Sequence, residues 1–300
     1  MNLKVWFLET RPQFLLLSVI LAFLGTCIAW YWTGSVNLGY AVLAGFGLLL
    51  THISVNVLND YYDFKSGVDL ATQRTPFSGG SGILPPALLK PKQVFWFGLT
   101  SFLIAVPIGI YFTVVKGWLL LPLLVVAGIC VLFYTPVILK LHWPEWSPGL
   151  GLGALPILGA FFVQTSTYTL PAVIAAVPSG ILVHNLLLLN EFPDVAADRT
   201  AKRRTSPIVM GGARAGIFYS ALTILVYVWI IGGVIARVMP WTSLIALLTL
   251  PFAIKAIRGA MQYNDMSKLV PAMANNVLVV LLTQLLLGIG FILAKIFKIF

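Results

Sequence analysis

The sequence predicts an all-α protein that crosses a membrane many times, and three observations carry that expectation. Of the 300 residues, 59% are hydrophobic and only 9% are charged, whereas soluble domains carry roughly 25% charged residues. The mean hydropathy is +0.97. Apolar runs recur at the length of about 20 residues that a spanning helix needs. The runs are too long for barrel strands, which are about 10 residues of alternating character. Helices are the other way to satisfy the backbone in lipid.

Nine spans follow in order. The first, near 13–32, comes after the short mixed stretch MNLKVWFLETRPQ, and no small-residue cleavage site follows it. It reads as a retained helix rather than a signal peptide. The second, near 38–60, leads into NVLNDYYDFKSGVD at 56–69. The third and fourth fall near 93–114 and 118–139, the fourth closing on FYTPVILKLH at 133–142. The fifth lies near 149–167, and the sixth, near 170–192, runs into NEFPDVAADRTAKRR. The seventh, eighth and ninth lie near 214–236, 241–258 and 275–295. Cys27 and Cys130 both fall inside spans and read as lone packing residues. The whole of 1–300 reads as one integral-membrane domain.

Charge sets the direction. With the N-terminus in the cytoplasm, fifteen of the nineteen Lys and Arg residues lie inside, and only Lys116, Arg237, Lys295 and Lys298 lie outside. That bias favours N-terminus in and C-terminus out of a cell membrane. The net charge of +10 is then explained by loops facing anionic lipid, not by a nucleic-acid partner. All nine acids also fall on the cytoplasmic side, an asymmetry that the positive-inside rule does not explain. Two long loops, about 61–92 and 193–213, share that side, so chemistry is expected at the cytoplasmic face.

The acids gather in two similar stretches. Asn56 and Asp60 are four residues apart, with Asp63 three further on; Asn190, Asp194 and Asp198 follow at i, i+4, i+8. On a helix such spacings stack side chains on one face. Asp69 is followed by Arg74-Thr75, Pro76 and Gly79-Gly80; Asp198 is followed by Arg204-Thr205, Pro207 and Gly211-Gly212. The pattern implies an internal duplication, with parallel repeats of four helices over about 10–140 and 145–260 and the ninth helix added. A single acid at a helix end is ordinarily a solvated boundary residue. Two clusters in duplicate, each with an amide one turn deeper, point instead to a site, since ionisable groups at a membrane span are costly.

Oxygen ligands without His or Cys suit a hard cation, and magnesium takes one or two carboxylates while leaving positions for substrate phosphates. Arg74, Lys202, Arg203 and Arg204 follow the acids on the same loops, and arginine forks match phosphate oxygens. Acids, Mg2+ and basic groups together describe a diphosphate site. At the mouth of an apolar helical bundle the substrate expected is an isoprenoid lipid diphosphate that ionises to an allylic cation. Metal and basic groups would stabilise the leaving diphosphate, and the site would need to exclude water. Tyr61, Tyr62, Phe64 and Tyr134 are candidates to line the cavity and face the cation. The loops carrying Gly67, Gly79, Gly80, Gly82, Gly211 and Gly212 are candidate lids.

At these residues the chain resembles the UbiA-type intramembrane prenyltransferases. NVLNDYYDFKSGVD resembles their first Asp-rich motif and NEFPDVAADRTAKRR their second, with Arg11-Pro12 before the first span and FYTPVILKLH closing the fourth. The resemblance covers nearly the whole chain. It implies a central cavity, a prenyl diphosphate donor and two Mg2+ ions bridging the motifs. Asn56, Asp60, Asp63, Asn190, Asp194 and Asp198 would be the metal ligands, with Asp60, Asp63, Asp194 and Asp198 as the catalytic carboxylates. Arg11, Arg74, Lys140, Lys202, Arg203 and Arg204, with Asn56 and Asn190, would hold the diphosphate. One departure stands out: many relatives carry an acid four residues after the first Asp, where this chain has Phe64, so either Asp63 or Asp69 fills the third role. The stretch FFVQTSTYT at 161–169 and the style of the first motif are most similar to members that prenylate 1,4-dihydroxy-2-naphthoate in menaquinone synthesis. Other members prenylate 4-hydroxybenzoate, homogentisate, chlorophyllide, haem or a glycerol-phosphate ether. Outside the family, a transporter would place polar groups near span centres, where His52 and His184 are the deepest candidates, and parallel repeats weigh against the inverted repeats of many transporters. A third possibility is an enzyme of this fold that cleaves the lipid diphosphate without an acceptor.

Overall fold

The computed structural model describes residues 2–72 and 74–298, and every regular element among them is helical. A short helix α1 (Leu3–Glu9) is capped by the Asn2 side chain and leads through Arg11, at φ 53°, into α2 (Pro12–Thr33). That left-handed turn costs a non-glycine residue energy. It turns the chain sharply just before Pro12, which then starts α2 at the position where a missing N–H costs nothing. The helices α3 (Leu38–Ser66), α4 (Val68–Ala71), α5 (Pro91–Lys116) and α6 (Leu121–Leu132) complete the first half. The second half holds α7 (Trp146–Gly149), α8 (Leu155–Thr165), α9 (Leu170–Asn190), α10 (Val195–Thr200), α11 (Ser206–Met210), α12 (Gly212–Ile235), α13 (Leu250–Ala260) and α14 (Met266–Ile296). One wider turn over Leu150–Ala154 joins α7 to α8, and a tighter helical run over Trp241–Thr249 leads into α13.

Among the described residues, eight helical segments are long and apolar enough to span a membrane, with a shorter apolar one at Trp118–Leu132. The chain is therefore a multi-pass membrane protein. Nine spans fit the structure, with the fourth, expected at 118–139, shorter than its expected bounds. Its helix stops at Leu132, because Pro136 cannot donate to the ladder and disfavours helix at the residue before it. Fifteen residues rise roughly 22 Å, short of a hydrocarbon core of about 30 Å. Residues 133–145 form a loop with one tight helical turn at Ile138–Lys140, and it is tied to a second loop: Arg204 N–H donates to the Leu139 carbonyl at 3.1 Å and Trp143 N–H to the Arg204 carbonyl at 3.3 Å.

The main core sits where α2, α8, α9, α12, α14 and the 241–249 run meet, around Leu21, Leu24, Ile28, Phe161 and Phe291. Helices α2 and α8 approach so closely that a Cβ on Gly25 would lie 2.4 Å from the Ile157 carbonyl oxygen; small residues allow such contact between membrane helices. A chain of interior polar groups on three helices satisfies its own members. Asn185 donates to the Tyr219 carbonyl at 3.0 Å and to Thr223 at 2.9 Å, and the Tyr219 hydroxyl donates to Asn276 at 2.9 Å. These bonds fasten α9, α12 and α14 together. The outward faces are apolar and exposed, as Leu103, Ile110 and Val114 show on α5, which is what a lipid-facing surface requires.

The second motif also departs from its expected shape. Asn190, Asp194 and Asp198 do not ride on one continuous helix. Helix α9 ends at Asn190, a turn passes through Pro193, and α10 restarts after Asp194. Pro193 removes an N–H and disfavours helix at the residue before it. The first motif stays helical to Ser66, so Asp60 and Asp63 lie in the last two turns of α3.

Candidate active site

Both motifs open onto one cavity of about 190 Å3. Its walls include Asn56, Asp63, Asn190, Asp194 and Asp198 from the expected ligand set, together with Arg11 and Arg203. Asp69 also lines it. Phe64, where relatives carry an acid, packs against the apolar cluster of Val57, Ile83 and Leu84. The structure thus brings both Asp63 and Asp69 to the cavity rather than choosing between them.

Asp60 is placed differently. It is 1% exposed and is not part of the cavity wall. One carboxylate oxygen is in an ion pair with Arg11, and the other accepts the Ser81 backbone N–H at 2.8 Å. Glu9, which sequence reasoning did not single out, is 0% exposed and accepts the Ser81 hydroxyl at 2.8 Å. Asn59 was likewise missed. It accepts from Arg11 at 3.1 Å and donates to Asp63 and to Thr135, each at 3.1 Å. One signal for both was present: nine acids confined to one side of the membrane left Glu9 without an explanation, and Asn59 adjoins Asp60.

Arg203 links the two halves. Its guanidinium pairs with Asp63 of the first motif and with Asp198 of the second, the latter at 2.8 Å. The other basic candidates lie elsewhere. Arg74 wraps its own loop, donating to the carbonyls of Gly79 at 3.0 Å, Gly80 at 3.2 Å and Ser81 at 2.6 Å. Gly82, at φ 72°, makes room for it, since a Cβ there would fall 1.7 Å from an Arg74 nitrogen. Lys140, Lys202 and Arg204 are exposed and outside the cavity wall. Of the four candidate aromatics, Tyr134 lines the cavity, whereas Tyr61 packs on Tyr62 and Phe95 and Phe64 faces the apolar cluster noted above. His52 is buried, hydrogen-bonded to Ser18 at 2.8 Å, which is the ordinary state of an interior histidine.

Buried carboxylates are expensive to ionise. Burial pushes Asp194 up to about 7, with the Asp198 charge adding to it. Burial likewise raises Asp69 and Asp198 to about 6 each and Glu9 to about 7. Burial pulls the Arg203 guanidinium down, but Asp63 and Asp198 outweigh it and hold it charged. The oxygens of Asn190 (Oδ1) and Asp194 (Oδ1) are buried with no hydrogen-bond partner. Among the described residues no three His, Cys, Asp or Glu side chains converge closely enough to cage a metal by themselves. An all-oxygen set with unsatisfied oxygens at the second motif fits Mg2+, which binds through one or two carboxylates and completes its shell with water and substrate phosphates.

A stability test follows. These carboxyls take up a proton more readily folded than unfolded, where carboxyls titrate near 4. The stability they confer is fully present below about 4 and is lost as the pH rises through about 7. Metal-free protein in detergent is therefore expected to show a melting temperature that falls between pH 5 and 8. Mg2+ should raise it more at pH 8 than at pH 5, because ligands must be deprotonated. An equal Mg2+ effect at both pH values would remove these carboxyls from the metal site.

A helical membrane bundle with one acid- and arginine-lined cavity has the architecture of an intramembrane enzyme for substrates with a charged head and an apolar tail. The chain belongs to the UbiA prenyltransferase family, whose model matches residues 18–294, and it is a prenyltransferase. It is 29% identical over 289 residues to the 1,4-dihydroxy-2-naphthoate octaprenyltransferase of Bacillus subtilis (strain 168), covering 95% of this chain and 91% of that protein. In structure it is similar to an apo UbiA homologue from Aeropyrum pernix K1, with a TM-score of 0.71, 17% identity and coverage of 93% and 97% of the two chains. A UbiA homologue from Archaeoglobus fulgidus bound to GPP and Mg2+ matches with a TM-score of 0.63 and 13% identity, covering 94% of this chain and 99% of that one.

Proposed function

We propose that the protein transfers an isoprenoid chain from a polyprenyl diphosphate to 1,4-dihydroxy-2-naphthoate, with Mg2+, at the cytoplasmic face of the cell membrane. The observation that carries the reading is convergence: two acidic motifs about 130 residues apart in sequence share one cavity and one arginine, Arg203. The acceptor is supported by the Bacillus relative, and the face by the Lys/Arg bias of the loops. The paired motifs are read as halves of an internal duplication.

Asn56, Asp63, Asn190, Asp194 and Asp198 line the cavity and would serve Mg2+, with Asp69 as a further oxygen ligand; Asp60 would join them by exchanging Arg11 for the metal. When bound, Mg2+ supplies positive charge against the diphosphate oxygens and so favours its departure. Arg11 and Arg203 stand in the cavity wall ready to transfer their hydrogen bonds from carboxylates to phosphate oxygens. Lys140, Lys202 and Arg204, exposed outside the cavity wall, would have to turn inward to reach a phosphate, while Arg74 shapes the 74–81 loop. The prenyl C1–O bond breaks with its electron pair going to the diphosphate. The acceptor ring supplies the pair for the new C–C bond and regains it when the attacked carbon releases a proton or, where it bears the carboxylate, CO2. Tyr134 offers its ring to the allylic cation. A second, apolar cavity of about 140 Å3 shares Thr51, Val131 and Gly151 with the first. It runs between α2, α3, α5, α6 and α8 past Ala44, Gly47 and Gly159 and suits the isoprenoid tail.

The test is an acceptor panel. Purified protein with farnesyl diphosphate is offered 1,4-dihydroxy-2-naphthoate, 4-hydroxybenzoate and homogentisate, with and without EDTA, and products are read by mass. Prenylated naphthoate product that disappears with EDTA and returns with Mg2+ is expected. Preference for another ring would overturn the acceptor, and full turnover in EDTA would overturn the metal.

A further inference from the structure

Besides Glu9, which is bonded to Ser81, two buried acids remain outside the diphosphate machinery. Glu191 directly follows Asn190, lines the cavity and is 7% exposed. Glu145, just before α7, is 0% exposed. One Glu145 oxygen accepts the Ser206 backbone N–H at 2.6 Å. The other Glu145 oxygen and both oxygens of Glu191 have no N–H directed at them. The two carboxyls are hydrogen-bonded to each other, with His184 near Glu145 and Asp198 and Arg203 near Glu191. Glu191 lines the cavity and Glu145 stands behind it; a proton shared between the two carboxyls leaves Glu191 an acceptor oxygen that no N–H of the protein reaches. Buried acceptors are almost always satisfied, and leaving one unsatisfied costs stability. Such a wall is costly to the empty protein and complementary to a ligand that brings O–H groups.

The wall's position decides which ligand. The same cavity wall carries Asn190 and Asp194, the second-motif oxygens, together with Tyr134 and the apolar Leu186 and Leu187. A diphosphate brings only acceptor oxygens and would be repelled by a carboxyl. An aromatic ring with hydroxyl groups brings the donors, and it must lie beside the diphosphate end of the tail to be prenylated. We infer that Glu191, backed by Glu145, is the hydrogen-bond acceptor that orients a hydroxyl of the aromatic acceptor. This rests on the prenyl-transfer reading above. Glu191 is a specificity-determining and positioning group here, and Glu145 acts through it.

The hydroxyl can be removed from either partner. Wild-type protein, farnesyl diphosphate and Mg2+ are assayed with 1,4-dihydroxy-2-naphthoate and with its 1-methoxy and 4-methoxy monoethers. The same is done with Glu191→Leu, Glu191→Gln and Glu145→Gln. Wild type should prefer the dihydroxy acceptor over one of the monoethers by about tenfold to a hundredfold in kcat/KM, the range for a lost buried hydrogen bond. Glu191→Leu should lose that preference, with a raised acceptor KM and an unchanged KM for farnesyl diphosphate. Glu191→Gln, whose amide oxygen still accepts, should restore part of it. Glu145→Gln gives Glu191 an internal N–H donor and should raise the acceptor KM in the same direction, which serves if Glu191→Leu fails to fold. A Glu191→Leu protein that discriminates as wild type does would overturn the inference, as would one whose change lies in the donor KM or in the Mg2+ requirement. If wild type prenylates no hydroxylated ring at all, the proposed function itself fails, an outcome separate from these.

Discussion

Asp194→Ala is expected to lower prenyl transfer at least about a hundredfold, the scale seen when one group that stabilises developing charge is removed, without weakening the fold. Its Oδ1 is buried and has no hydrogen-bond partner. Burial and Asp198 hold its carboxyl up to about 7, so near neutral pH the folded chain meets a cost to keep it charged. Alanine removes that cost. The melting temperature of the metal-free variant should therefore equal or exceed that of wild type, in the manner of active-site residues kept at the expense of stability. Asp60→Ala makes the contrast. Asp60 holds Arg11 and the Ser81 N–H together, and breaking a buried ion pair costs about 3–5 kcal/mol. That variant should lose activity and stability together, so activity alone reveals little about its role. Turnover and melting temperature measured on both variants separate the two cases. Near-normal turnover in Asp194→Ala would remove the second motif from the chemistry.

The difference between those two aspartates marks how far the sequence could be read. Both stand four residues after an asparagine, and spacing makes them equivalent. Their environments differ because of partners remote in the chain. Asp60 is bound by Arg11, 49 residues away, and by Ser81, 21 residues on, and no periodicity reports a contact of that kind. Apolar runs, in contrast, are a local signal in lipid, which is why the spans were legible and why the exceptions fall at prolines. Pro136 ends α6 early, and Pro193 breaks the second motif from its helix. Phe64 was legible as a departure, yet only packing shows that it faces Ile83 and Leu84 while Asp69 enters the cavity. Arg74 looked like a phosphate ligand by type. Its fork is used by three carbonyls of its own loop, a local fold that glycines at 79, 80 and 82 permit through positive φ. Glu191 carried a faint signal, as an acid inside the sixth expected span, whereas Glu145 falls between spans, and their meeting depends on how the 133–145 and 203–206 loops dock.

Arg203→Ala is expected to damage both the fold and the reaction, with Mg2+ repairing the first far more than the second. Arg203 is the group that neutralises Asp63 and Asp198 across the two halves of the molecule. All three side chains are at most 10% exposed. Removing the guanidinium leaves two facing carboxylates in a low-dielectric cleft, a loss on the scale of about 3–5 kcal/mol for a broken buried pair. The metal-free variant should melt well below wild type at pH 8, where the acids are charged, and closer to it at pH 5, where Asp198 takes up a proton near its value of about 6. Mg2+ at pH 8 should recover most of the lost melting temperature, since a divalent cation neutralises the same carboxylates. Transfer should stay at least about a hundredfold down, because the arginine's bonds to the departing diphosphate are not replaced. Arg203→Lys keeps the charge but not the fork that reaches two carboxylates at once, so it should restore stability more fully than turnover. Melting curves with and without Mg2+, beside steady-state turnover, check each part. An Arg203→Ala protein that melts like wild type without metal at pH 8 would show that the two motifs do not depend on this arginine for their neutralisation.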